Sequence, residues 1–444
     1  MMDRFHVSRT AALLLGVGIA TSLVQGLAQE LPPPRQNPPA AVGPAAVPVH
    51  ASAVSPPPLT IYDAVRISVE RHPVLRQATF NIQAAQGRAD QAGRYPNPTV
   101  SIIGDEMSDR QGPGGIITAP QISQEIVLGG KLGLSQAAAQ AELSQTSLFL
   151  QSQRFRLATE VRQAYFDVLL AQQRVAVLGQ VARLAQQSNE NAQALFNKGR
   201  IAELEKLSFQ TELDRIVADL EAAQRERIAV GHRLAAVMGI PSLLIPSVVG
   251  NLESSLPQYD LDQLRPQVLE IHPDVQAARI GIARAEAALQ RAEAEVIPNV
   301  TASAGYVRQN QNRSDDWMFQ FSVPVPLYNR NQGNILAAHA EVGRAVQEVE
   351  RVQADLAAKL AAAWGQYAAA KQRAERYKTA IRANADRAFT IAQDAYKSGV
   401  FEYLRVVQAQ RTVAEANLEY IRALGEAWRA ASEIAGLTLE EQWP

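Results

Sequence analysis

Histidine is the side chain that most readily holds a metal or moves a proton near neutral pH. The chain has six: His6, His50, His72, His232, His272 and His339. No two stand four apart, the spacing that puts a pair of imidazoles on one helix face, and no His-Glu-x-x-His occurs. His72 and His272 each precede a proline, which places them at helix ends and assigns them a helix-terminal role. There is no cysteine, which excludes disulfides, thiolate metal sites, cysteine nucleophiles and lipid attachment through a thiol. Neither a Gly-x-Ser-x-Gly elbow nor a phosphate-binding Gly-x-x-x-x-Gly-Lys-Ser/Thr loop is present. The carboxylates are spread along the chain without a marked acid/base pair. With 43 basic and 44 acidic residues the formal charge is −1, against the basic surface a nucleic-acid partner needs. The expectation is a protein that is no enzyme and has no cofactor, metal site or nucleic-acid partner.

The elements that would position any other function are unusual. Arg4 and Arg9 precede an uncharged stretch, Thr10 to Gln29, that closes on Gly26-Leu27-Ala28. This pattern predicts a secretory signal peptide over 1–28. Residues 31–58 carry ten of the 24 prolines, so 29–58 is expected to be an extended tether. Folded structure should begin at Leu59, with Thr60 and Asp63 opening a helix.

The remainder is one unit written twice. His72-Pro73-Val74 recurs as His272-Pro273-Asp274, Tyr95-Pro96-Asn97 as Ile297-Pro298-Asn299, and Ala138 to Leu143 as Ala337 to Val342. Phe196-Asn197-Lys198-Gly199 recurs as Tyr396-Lys397-Ser398-Gly399, and Met238-Gly239-Ile240 as Ala435-Gly436-Leu437. The offsets lie between 197 and 202 residues, a domain-sized period rather than a solenoid repeat. The halves are placed at 59–250 and 251–444. Each predicts a short helix, a second Ala-rich helix (Ala78 to Arg94; Ala277 to Val296), two strands, and a long proline-free stretch of good helix formers. Val161, Val168, Val175 and Ala182 fall seven apart, with Ala164, Ala171, Leu178 and Ala185 three after each. That period marks a coiled-coil seam. Gly199 and Gly399 interrupt the stretches, so each should be an antiparallel hairpin of helices. The first arm of each, from Gln136 or Gly333, would be about 90 Å long.

Val300, Ala302, Ala304 and Tyr306 alternate with Thr301, Ser303 and Gly305, and Trp317, Phe319, Phe321, Val323 and Val325 with Met318, Gln320, Ser322 and Pro324, across a polar loop from Gln309 to Asp316. In the first half, Pro98 to Glu106 and Ile116 to Val127 form the weaker pair. Segments of this length suit a transmembrane barrel wall, and an ordinary soluble hairpin fits them as well. Four strands cannot close a barrel, so if they cross lipid several chains must pool them. The uncharged run Leu234 to Leu252 is broken by Pro241, Pro246 and Gly250 and reads as the connector between the halves.

Taken together, the duplicated unit, the Tyr95-Pro96-Asn97-Pro98 and Ile297-Pro298-Asn299 turns, Val323-Pro324-Val325-Pro326-Leu327 and the Phe/Tyr-x-x-Gly tips resemble the TolC-like outer-membrane efflux proteins over about residues 59–440. Leu128-Gly129-Gly130-Lys131 is most similar to their cobalt–zinc–cadmium resistance branch. The resemblance implies a mainly α fold with a small β part. Three copies would share a twelve-stranded barrel in the outer membrane of a Gram-negative bacterium, with the helices forming a periplasmic α-barrel. It implies a passive gated conduit that exports divalent heavy-metal cations; drugs or organic solvents are the alternative cargo. A periplasmic adaptor would meet the tips at Gly199, Arg200, Gly399 and Val400. An inner-membrane pump of the resistance–nodulation–division type would supply energy. A periplasmic adaptor is the other class that carries long helical hairpins, but such proteins have one hairpin and this chain has two; a soluble coiled-coil scaffold is the remaining alternative, separated from a channel by its location. The family's constriction positions, six and nine after the second tip glycine, hold Arg405 and Gln408 here instead of the usual aspartates. Three symmetry-related arginines would oppose cations. Glu205 and Tyr396 match the acidic and aromatic residues that hold the tips closed, which implies a Tyr396–Glu205 contact with Arg405 nearby.

Overall fold

The computed structural model describes residues 59–105, 115–398, 400 and 402–441. The leader, the proline-rich segment and Gly399 lie outside the described residues. The first repeat consists of α1 (Ile61–Arg71), α2 (Pro73–Ala92), β1 (Thr99–Asp105), β2 (Ile116–Ile126), α3 (Lys131–Asn197) and α4 (Glu203–Val237). The second consists of α5 (Leu261–Ile271), α6 (Pro273–Ala294), β3 (Val300–Gln309), β4 (Ser314–Ser322), α7 (Gln332–Arg376), one π-helical turn (Tyr377–Ile381), α8 (Arg382–Lys397) and α9 (Tyr403–Leu437).

Local chemistry sets the helix starts. Thr60 Oγ1 accepts the Asp63 N–H at 3.1 Å and caps α1. The Nδ1 atoms of His72 and His272 accept the N–H groups of Val74 and Asp274, capping α2 and α6. With proline at the first helical position, both helices begin a turn earlier than the alanine pattern suggested. The 67 residues of α3 span about 100 Å. It starts at Lys131 rather than Gln136, because Gly130 at φ 69° turns the chain directly out of β2. Asn331, at φ 60°, does the same for α7. The second long arm is not a uniform α-helix, since the π turn at Tyr377–Ile381 adds a residue to it.

The seam read from the heptads is buried at six of its eight positions, with Val175 and Ala182 half-buried. Val161, Ala164, Val168, Ala171, Leu178 and Ala185 all face the interior of the α3 packing. Phe209, Ile216 and Ala223 continue it on α4. Small residues let the backbones approach closely, and Gly436 of α9 rests directly on Thr159 of α3. A belt from residues 238–260 is laid across one side of the helices. Tyr165 donates to the carbonyls of Leu59 and Val249, Trp428 Nε1 to Leu252 O at 2.9 Å, and Tyr367 to Pro257 O. Arg162, buried, pins the C-terminal segment through Glu440 O at 2.9 Å and Glu441 O at 3.2 Å.

One repeat equivalence differs from the sequence pairing. The helix ends α4 and α9 share the same capping pattern, with Ile240 N bonded to Ala235 O and Glu440 N to Ala435 O. Gly239 (φ 76°) therefore matches Leu439 (φ 62°), not Gly436. Glycine identity misled the alignment; backbone conformation corrects it.

The strands form one antiparallel sheet in the order β1-β2-β3-β4. Ladder pairing continues to Gln309 opposite Ser314, so the polar loop is only residues 310–313, shorter than the Gln309–Asp316 expectation. Its φ 55° residue is Arg313. Residues 106–114, between β1 and β2, lie outside the described residues. No described helix is long and apolar enough to cross a membrane, Leu234–Leu252 included.

Candidate functional site

Two regions carry the chemistry, the sheet and the hairpin tips. Pairing assigns the faces of the sheet. Trp317 lies opposite Tyr306, Phe319 opposite Ala304 and Phe321 opposite Ala302. This face continues through Ile122 to Val100. It is apolar and open: Trp317, Phe319 and Phe321 are 72%, 72% and 75% exposed. The Tyr306 and Trp317 rings meet edge-on at 5.9 Å, an aromatic pair at one end of the apolar band, as at a bilayer interface. The other face carries Thr99, Ser101, Ser123, Ser303, Gln320 and Ser322. β2 bulges at Ala119-Pro120, between its pairs with β1 and β3, and Gly305 sits beneath the bulge. A Cβ there would lie 2.8 Å from Thr118 Cγ2, so the glycine makes room for the bulge. The outer edges of β1 and β4 are without a strand partner among the described residues.

The sheet joins the helices where the two sequence motifs meet. Gly129, at φ 71°, lets β2 pass within reach of Ile297. Lys131 is 2% exposed. Its Nζ donates to Asn299 Oδ1 at 2.8 Å and lies 3.8 Å from Glu295. Burial lowers its pKa, as does Arg291 nearby.

At the tips, Gly199 adopts φ 65° and the Arg200 N–H bonds Leu195 O at 2.9 Å. The second tip repeats this with Val400 N on Ala395 O at 2.8 Å. Arg200 and Val400 are exposed. Glu205 lies in the first turn of α4, where the helix dipole favours an acid. Tyr396 lies near it: burial pushes the Tyr396 hydroxyl above its ordinary range, and the Glu205 carboxylate adds to the push. Arg405 and Gln408 are exposed on α9. Arg405 sits in the first turn of its helix, the unfavourable end for a cation, so helix stability does not explain it. No ion pair joins Arg405 to Glu205 among the described residues.

The stronger contact near the tips was missed by the sequence reading. Glu212 of α4 is 8% exposed. Arg411 of α9 grips both its oxygens, Nε to Oε1 at 2.9 Å and Nη2 to Oε2. Arg215 adds bonds of 2.8 and 3.3 Å. Burial would raise the Glu212 pKa, but the bonds from Arg411 and Arg215 prevail and hold it at about 2. This ties one hairpin to the other. A signal existed: Phe209, Ile216 and Ala223 fall seven apart, and Glu212 stands three after Phe209, a charge at a core position of the seam.

The comparisons agree with this architecture. The outer membrane efflux protein family matches residues 65–240 and again 264–438. The cobalt-zinc-cadmium resistance protein CzcC of Cupriavidus metallidurans is 26% identical over 377 residues, 85% of this chain and 89% of that protein. The toluene efflux pump outer membrane protein TtgI of Pseudomonas putida is 25% identical, over 78% of this chain and 77% of its own length. CusC, the cation efflux system protein of Escherichia coli, is 24% identical over 79% of this chain and 81% of its own. A crystal structure of CusC superposes with a TM-score of 0.75 at 18% identity, covering 85% of this chain and 91% of that one. With one family match on each repeat and the fold shared, the chain belongs to the outer membrane efflux protein family, whose members are efflux channels rather than enzymes.

Proposed function

We propose that three copies of this chain close a twelve-stranded barrel in the outer membrane and continue it as a helical conduit through the periplasm. One observation carries this reading: a two-faced sheet of four strands with both edges open among the described residues. Unpaired edges are not tolerated in lipid, and the smallest closed barrels have eight strands. Copies must therefore supply β1 to β4 in a ring. The conduit is passive. A periplasmic adaptor meets the tips at Gly199, Arg200, Gly399 and Val400, and an inner-membrane pump of the resistance–nodulation–division type drives transport. Glu205 and Tyr396 hold the resting tip together, and Arg405 and Gln408 line its narrowing.

The cargo is divalent heavy-metal cations. The names of CzcC and CusC support this, while TtgI, almost as similar, supports organic solvents as the second reading. A deletion strain decides between them. Loss of the gene should raise sensitivity to zinc, cobalt and cadmium several-fold and leave toluene tolerance as it was. The reverse pattern would move the cargo to the second reading.

A further inference from the structure

The charges of the sheet are sorted by face. The described strands contain one basic residue, Arg308, and it lies on the apolar face, where it pairs with Asp315 at 2.6 Å. The polar face has carboxylates only. Asp105 and Asp316 stand at its outer end, opposite Ile116 and Val307. Glu125 stands at its other end, opposite Thr301, on the same face as Ser123 and Ser303.

Glu125 is exposed and its carboxylate is held in place. Asn299 Nδ2 donates to Glu125 Oε1 at 2.6 Å. The Asn299 amide has no freedom to turn over, because its Oδ1 accepts from Lys131 Nζ at 2.8 Å and Leu128 N at 3.3 Å. Among the described residues two cations stand close behind: Lys131 is buried and feels both Glu295 and Glu125 itself, and Arg291 pairs with Glu295. A permeating ion would therefore meet the carboxylate and not the ammonium.

We propose that Glu125 is the residue that makes this conduit prefer cations. The inference rests on the trimeric reading: three copies would set three Glu125 carboxylates in a ring where the barrel opens into the helical conduit. Rings of acidic side chains select cations. The preference is thus set at the membrane end, while the tip, with Arg405 and Gln408 in place of acids, opposes it. Hydrated divalent cations leaving the helical conduit would meet the ring last before the neutral hydroxyl and amide wall.

The test is the reversal potential of the purified full-length protein in planar bilayers under a potassium chloride gradient. The Glu205→Ala background is used, so that the tip does not dominate the resistance. The parent should be cation-selective. Glu125→Gln should shift the reversal potential toward zero, stopping short of it because Asp105 and Asp316 remain on the same face, and Glu125→Lys should shift it further in the same direction. Asp315→Asn, on the outward face, should leave it in place. A Glu125→Lys channel with the parental reversal potential overturns the assignment while leaving the channel standing. Absence of channels in every variant overturns the trimeric reading and the assignment with it.

Discussion

Arg411→Ala should raise the resting conductance of the reconstituted channel by about tenfold or more, the result of destabilising the closed tip by about 2 kcal/mol. The argument starts from the position of Glu212. It occupies a seam position that a coiled coil fills with an apolar side chain, and it is 8% exposed. Such a carboxylate is tolerable only while it is fully paired. Arg411 supplies the pairing from the other hairpin and Arg215 from the same helix. Removing Arg411 leaves a buried carboxylate with half its partners, and the cheapest relief is to let water in by parting the hairpins. The reversed pair, Glu212→Arg with Arg411→Glu, should recover part of the closed state, which a merely structural defect would not. Glu205→Ala, at an exposed carboxylate one heptad nearer the tip, should raise conductance by less. Unchanged conductance in Arg411→Ala would show that the pair does not hold the tip.

The same pair fixes an acid response. A depression from 4.5 to about 2 is worth about 3 kcal/mol. Because the folded pKa is the lower one, this contribution is present above the unfolded value and is lost as pH falls through the folded value. Channel opening and thermal lability should therefore increase together between pH 4.5 and 2, and the increase should be absent in Glu212→Gln.

Gly436→Leu should abolish assembly at 37 °C. Gly436 sits in the last turn of α9 against α3, and a Cβ built on it overlaps Thr159 Oγ1. That hydroxyl is not free to swing away, since it donates to Phe155 O at 3.0 Å. Around it lie Trp428, stacked on Phe166 at 5.0 Å, and the buried Ile434 and Ala435. Overpacking of this kind costs about 1–3 kcal/mol for a small addition and more for a branched side chain. Gly436→Ala alone should lower the melting temperature, and Thr159→Ala in the same chain should restore most of it. If Gly436→Ala melts like the parent, helix approach at this point is not what holds α9 on α3.

The duplication, strand pairs and hairpins were legible because each leaves a periodic or repeated mark. Proline turns such as Tyr95-Pro96-Asn97 and the alternation of Trp317, Phe319 and Phe321 need no partner to be seen. Other features depend on what stands across the fold. Lys131 reads as an exposed lysine following two glycines, since lysines are seldom fully buried. Its burial follows from the approach of Asn299, 168 residues away. Glu212 is one of 44 acidic residues until Arg411 is placed beside it. Gly436 imitated a helix terminator because glycine serves both termini and close packing. Only backbone torsion separates the two uses, and it shows Leu439 doing the terminator's work.

The most direct test of the shared barrel is the native mass of the full-length protein, extracted in detergent from outer-membrane fractions. Three protomers per particle, resistant to release by salt or alkali, is the result expected if β4 of one copy pairs with β1 of the next. A monodisperse monomer, or a protein recovered in the soluble periplasmic fraction, would show that the open edges of the sheet are not closed by other copies, and the conduit would be lost with them.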